Sequence, residues 1–164
     1  MFVTVVVQYI ATCACSKALC QHLESSDETP EGTRGAPHMQ RGFAKVTVEM
    51  SPTELVAAKD RKETGGPCLW IPVGEIEQAV VLGTETVPHP VIRRPDEQEL
   101  ARQSWNHPQF VEDAARSIGE QLERAIQDKI LPARDWVVVV DHEESIHTHN
   151  AVAVMNRGVG GGLR

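Results

Sequence analysis

Segments rich in β-branched residues occur in two pairs, one near each end of the chain, and a long amphipathic stretch lies between them. Residues 2–11, FVTVVVQYIA, read as a strand, because Val, Thr and Ile restrict χ1 and suit a pleated sheet. In residues 42–50, Phe43, Lys45, Thr47 and Glu49 alternate with Ala44, Val46, Val48 and Met50, the pattern of a half-buried strand. Residues 135–141, DWVVVVD, and 149–156, HNAVAVMN, supply the second pair. Over 108–130, Phe110, Val111, Ala114, Ala115, Ile118, Leu122, Ala125 and Ile126 keep three-and-four spacing and predict a helix with one apolar face. Pro108 is tolerated in the first turn of such a helix. A shorter helical pattern covers 71–82 and is weakened by Gly74. The order strand, strand, helix, helix, strand, strand predicts an α+β domain, an antiparallel sheet with helices on one face.

Two polar stretches, 24–37 and 60–68, read as loops. Residues 87–96 hold three prolines, Pro88, Pro90 and Pro95, which exclude a central strand or a helix there. The length suits a single domain over 1–158, with the glycine-rich 159–164 as a flexible tail. Apolar residues make up 41% of the chain and aromatic residues only 4%, so the core must rest on Val, Ile, Leu and Ala. Trp70, Trp105, Trp136, Phe43 and Phe110 are the expected large anchors.

A formal net charge of −7 argues against a nucleic-acid partner, which needs a clustered basic face. It leaves room for a nucleoside triphosphate, which a few local cations can hold. No apolar run is long enough to span a membrane. The apolar start lacks a basic region and a cleavage site, so it reads as a strand and not as a signal peptide. Cys13, Cys15 and Cys20 cluster without a secretion signal, which favours reduced thiols in the cytoplasm.

Several residue groups suit site chemistry, each with a plainer alternative. Cys13 and Cys15 follow a strand directly, where alternate side chains point oppositely; one thiolate ligand with a neighbouring thiol is expected, unless a turn at Ala14 changes this. The alternative is a pair of small buried residues. His38 opens a strand after a polar loop, and taken alone it reads as an exposed loop histidine. His147 and His149 lie at the join of the last two strands, where a period of two points both rings to one side; the alternative is a hairpin-tip pair. His22, His89, His107 and His142 read as structural or solvated. The charged run Arg93–Glu97 suits a solvated helix entry, and the GVGGG run lacks the Lys-Ser/Thr of a phosphate loop.

Taken together, four ordered blocks resemble the type IB GTP cyclohydrolases and their archaeal metal-dependent relatives. They are Cys13-Ala-Cys15-Ser16-Lys17; His38-Met39-Gln40-Arg41; Arg94-Pro95-Asp96-Glu97 with Phe110-Val111-Glu112-Asp113-Ala114; and Glu144-Ser145-Ile146-His147-Thr148-His149-Asn150. The resemblance implies a tunnelling (T-fold) unit, a four-stranded antiparallel sheet with two helices on one face. It further implies that the chain is the C-terminal half of a bimodular family, working as a homo-oligomer or paired with a separate N-terminal T-fold half.

By the same resemblance, one divalent metal ion, zinc, manganese or iron(II), is expected on Cys13, His38 and His147, with a glutamate as a further ligand. Glu85 is the nearest candidate for that glutamate, Val87 stands at the expected spacing, and His89 is a possible substitute. The implied reaction is hydrolysis of GTP at guanine C8 with release of formate, giving 7,8-dihydroneopterin triphosphate, or a cyclic phosphate as in the archaeal relatives. Cys15 and His149 are the implied acid–base groups, and Lys17, Arg41 and Arg94 the implied triphosphate contacts. Arg102 stands where the family anchors guanine with a carboxylate, so Glu99, one helical turn earlier, is the expected replacement. A non-catalytic T-fold module that binds a purine, a pterin or a partner subunit is the alternative, and a structural metal protein ranks below it.

Overall fold

A computed structural model of the chain describes residues 1–24, 35–52, 71–88 and 90–157. The loop expectations at 25–34 and 60–68, Cys68, Trp70, His89 and the tail 159–164 lie outside the described residues. The elements in chain order are β1 (Phe2–Thr12), α1 (Ala14–Glu24), β2 (Met39–Glu49), α2 (Val73–Thr84), α3 (Arg94–Asn106), α4 (Val111–Gln127), β3 (Asp135–Glu143) and β4 (Ala151–Asn156).

The strands form one four-stranded sheet in the order β1-β2-β3-β4, antiparallel throughout. Its register pairs Val3 with Val48, Val46 with Val138 and Val139 with Val154. Alternation does the sorting: Val7, Tyr9 and Ala11, then Ala44, Val46 and Val48, then Trp136, Val138 and Val140 all bury on one face. That face is covered by α2 and α4, which pack on each other and on the sheet. Ile76 and Val80 come from α2, and Ala114, Ile118 and Leu122 from α4. Each fully buried aliphatic side chain contributes about 1.5–3 kcal/mol, so this layer is the main source of stability. The α+β architecture read from the sequence is therefore present, as a T-fold-like unit with four helices among the described residues.

Two helices escaped the sequence reading. In α3, Ser104 is the buried residue, so there is no apolar stripe to detect. Its start is nevertheless encoded: Pro95 lies in the first turn, and the Asp96 carboxylate accepts from Arg93 N–H at 2.9 Å. The other missed helix, α1, begins one residue after β1, at the turn that would re-aim the Cys13 and Cys15 thiols.

The long helix also starts later than expected, at Val111. Pro108 precedes it, and Phe110 is its N-cap, with Asp113 accepting from Phe110 N–H at 3.1 Å. Phe110 is consequently exposed and anchors no core. Tyr9 takes that role beside Trp136, whose indole N–H donates to Glu123 at 2.7 Å.

Candidate functional site

Antiparallel pairing brings the end of β1, the start of β2, the end of β3 and the start of β4 to the same edge of the molecule, since Thr12 pairs with Met39, Arg41 with Glu143 and His142 with Ala151. The segments just beyond those strand ends carry Cys13, His38, Glu144 and His147. A closed loop of hydrogen bonds joins the first two. Cys13 N–H donates to His38 O at 3.2 Å, His38 N–H to Ser16 Oγ at 3.3 Å, and Ser16 N–H to Cys13 Sγ at 3.4 Å. Cys13 thus caps α1 through its sulfur, at the positive end of that helix. Cys15 lies inside the first turn and is exposed.

The imidazoles come from the residue just before β2 and from the bend after β3. The rings of His38 and His147 lie edge to face with centroids 6.5 Å apart, and those of His147 and His149 stack at 5.3 Å. The stack arises in a bent segment over 145–149 and not in an extended strand, which begins only at Ala151. His38 Nδ1 lies 2.7 Å from Gln40 Oε1 and 3.3 Å from Ser145 Oγ, and Gln40 Nε2–H donates to Glu144 Oε1 at 2.9 Å.

The donor types suit zinc, manganese or iron(II): separate segments carry a thiol and imidazoles to one sheet end. Among the described residues, no three His, Cys, Asp or Glu side chains form a ready metal-holding group.

The remaining candidates are distributed around this cluster. Lys17 Nζ donates to Trp105 O at 2.5 Å and sits 5.2 Å from the centre of the Trp105 ring, so α1 is tied to the last turn of α3. A buried Thr12–Ser104 hydroxyl pair at 2.6 Å makes a second tie. Arg41 alternates away from Gln40 and pairs with Glu143 at 3.0 Å. Arg94 opens α3, pairs with Glu97 at 3.1 Å and lies about 16 Å along the helix from Trp105. Glu99 is held by Arg102 at 2.6 and 2.8 Å; that hydrogen bond keeps its carboxyl below the ordinary range. It also lines a cavity of about 290 Å³ with Val87, Ile92, Asp96, Leu100 and Gln103. Glu85, the C-cap of α2 with φ 58°, is engaged with His107 at 3.2 Å.

His142 is neither solvated nor part of the cluster surface. It is buried, with Nε2 2.6 Å from Tyr9 Oη. Burial pushes its pKa down, opposed by the charges of Glu144, Asp141 and Glu112, and burial pushes that of Tyr9 up. Sequence reasoning assigned no role to Ser16, Gln40 or Glu144. The period of two that sets Gln40 on the same strand face as His38 was the available signal.

The fold and this motif-bearing sheet end define the class: the chain belongs to the type I GTP cyclohydrolase folE2 family, whose pattern it matches over residues 1–153. It is 33% identical over 150 residues to GTP cyclohydrolase FolE2 of Roseobacter denitrificans, covering 92% of this chain and 35% of the relative. The FolE2 protein of Dinoroseobacter shibae is 37% identical over 153 residues, with the same two coverages. That of Hydrogenovibrio crunogenus is 31% identical over 179 residues, covering 98% of this chain and 51% of the relative. The chain thus spans between about a third and a half of the length of these curated relatives.

Proposed function

We propose that this chain takes part in metal-dependent hydrolysis of GTP at guanine C8, releasing formate and giving 7,8-dihydroneopterin triphosphate. The observation that supports this most is the meeting of Cys13, His38, His147 and His149 at one sheet end, in a chain of this family. Cys13, His38 and His147 would hold one divalent ion, and Glu85 would join them by exchanging its contact with His107. When bound, such an ion supplies a Lewis acid and an activated water for attack at C8.

The chain's own groups do the rest. The exposed Cys15 thiol and the His149 imidazole exchange protons with the opening ring and the rearranging ribose. Lys17 and Arg41 meet the triphosphate, and Arg94, at the opposite end of α3, would do so from a neighbouring unit. Glu99 accepts from the guanine edge at its cavity.

Assembly belongs to the same proposal. Among the described residues β1 and β4 are the outer strands of the sheet. The face turned away from the helices exposes Phe2, Val6, Val152 and Val154. Asp141 Oδ1 is buried without a hydrogen-bond partner among the described residues. Unpaired edges and an apolar face suit association with further T-fold units, either copies of this chain or a separate one. No described helix is long and apolar enough to cross a membrane. The three described cysteines are free, in keeping with a reducing cytoplasmic setting.

The test is to incubate the protein with GTP and zinc, manganese or iron(II), and to measure formate together with the pterin product by mass spectrometry. Formate with a neopterin triphosphate supports the proposal; a cyclic phosphate of the same pterin would place the chain with the archaeal chemistry. A second reading, a module that binds guanine nucleotides or pterins without turnover, is favoured by the engagement of Glu85 with His107. Calorimetric binding of GTP with no formate under any of the three metals would select it.

A further inference from the structure

We infer that Gln40, oriented by Glu144, is a positioning residue that fixes the tautomer of His38 and leaves its Nε2 as the nitrogen available to a metal ion. The inference deepens the metal-site reading above and rests on it for the role of Nε2, although the tautomer itself does not depend on that reading.

The relay starts at the carboxylate. Glu144 Oε1 lies 2.9 Å from the amide nitrogen of Gln40, whose side chain is buried. An ionised carboxylate only accepts, so the Gln40 NH₂ must face Glu144. Flipping the amide would set two acceptor oxygens against each other at hydrogen-bond distance, with no donor between them. Gln40 Oε1 therefore faces His38, 2.7 Å from Nδ1. An amide oxygen also only accepts, so Nδ1 carries the hydrogen, and in the neutral ring Nε2 then holds the lone pair. Ser145 Oγ, at 3.3 Å from the same Nδ1, fits either tautomer because its hydroxyl rotates. It takes the weaker second branch and decides nothing.

The backbone of His38 is pinned at both of its polar groups, by Cys13 N–H and by Ser16 Oγ. What remains free is the ring, and the relay Glu144–Gln40–His38 removes that freedom. A ligand imidazole whose other nitrogen donates to a fixed acceptor is the arrangement that orients metal-binding histidines. Here the acceptor is an amide, and its sense is set one residue further out.

The experiment reads the tautomer directly, by two-bond 1H–15N correlation of the histidine rings in the metal-free protein, together with zinc affinity by chelator competition. The wild type is expected to show His38 protonated at Nδ1. Gln40→Leu should shift His38 toward the Nε2-protonated form and weaken zinc binding by about 10–100-fold. Glu144→Leu, which keeps Gln40 but removes its orienting partner, should give a mixture of tautomers. The exchange variant Gln40→Glu with Glu144→Gln restores an acceptor at 40 and a donor at 144, so it should restore both the tautomer and the affinity. Gln40→Glu alone still offers His38 only an acceptor and should keep the Nδ1 hydrogen, but it sets two carboxylates together where Gln40 and Glu144 now bond and should destabilise the fold.

Circular dichroism shows which variants fold, and the exchange variant keeps the test open if Gln40→Leu does not. An Nδ1-protonated His38 in folded Gln40→Leu, or no recovery in a folded exchange variant, overturns the inference. A wild type with the expected tautomer and no zinc binding would instead sink the metal reading and leave the relay standing.

Discussion

Tyr9 Oη lies 2.6 Å from His142 Nε2, and the ring reaches that partner by passing over Gly42, which pairs in register with both residues. A Cβ on Gly42 would stand 2.4 Å from Tyr9 Cζ. The glycine is therefore required by close approach and not by its backbone angles. Gly42→Ala should displace the ring and break the buried hydrogen bond, costing about 2–4 kcal/mol in urea unfolding. Tyr9→Phe removes only the hydroxyl and should cost about 1–2 kcal/mol.

The same pair predicts a pH dependence. Burial holds the folded-state pKa of His142 below its ordinary value of 6.5, against the opposing pull of Glu144, Asp141 and Glu112. The raised pKa of Tyr9 keeps its hydroxyl protonated, so it donates to a neutral ring. A depressed histidine stabilises the fold fully above its unfolded pKa, and that contribution is lost as pH falls toward the folded value. Stability should decline from about pH 6.5 downward, by at most about 1.4 kcal/mol per unit from this group. His142→Gln keeps an acceptor for Tyr9 without titrating, and its urea midpoints should fall less steeply between pH 6.5 and 5. An unchanged slope would remove His142 as the cause.

Two glycines of α2 should respond oppositely to alanine. A Cβ on Gly83 would lie 2.8 Å from the Ile118 backbone nitrogen in α4, so the helices would have to separate. Gly83→Ala should cost about 1–3 kcal/mol. At Gly74 nothing lies within 4 Å, and Gly74→Ala should stabilise by about 0.5 kcal/mol through reduced backbone entropy of the unfolded chain. Thermal unfolding of both variants checks the pair.

The Thr12–Ser104 hydroxyl pair fixes α3 against the end of β1, next to Cys13. Ser104→Ala strands the buried Thr12 hydroxyl and should cost about 1–2 kcal/mol. Adding Thr12→Val should recover most of that loss, a coupling that a double-mutant cycle measures.

Metal binding should appear as stability. With zinc at 100 times its dissociation constant, the fold gains about 2.7 kcal/mol by mass action. Cys13→Ala should abolish the zinc-dependent rise in melting temperature, whereas Cys15→Ala should retain it, because Cys15 is assigned to proton exchange and not to the ion. Equal loss in both variants would reassign Cys15.

The sequence determined the strands, the sheet face they bury and the covering helices α2 and α4, because a period of two or of 3.6 is written directly into the order of apolar residues. It also held the motif blocks that point to the family. It did not reveal α3, which has no apolar stripe, nor α1, whose Leu19 and Leu23 are exposed and whose eleven residues follow directly on a strand, nor the place of Tyr9 among the large anchors. Only the tertiary structure decided which motif residues meet. Antiparallel pairing carried Cys13, His38 and His147 to one sheet end, whereas Arg94 stands at the far end of α3 and Glu85 is engaged with His107. It also turned Gln40 and Glu144 from motif letters into a hydrogen-bonded relay. The reason is physical. Periodicity is a local property of the chain, while a hydrogen bond between residues 104 positions apart exists only once the sheet has fixed their distance.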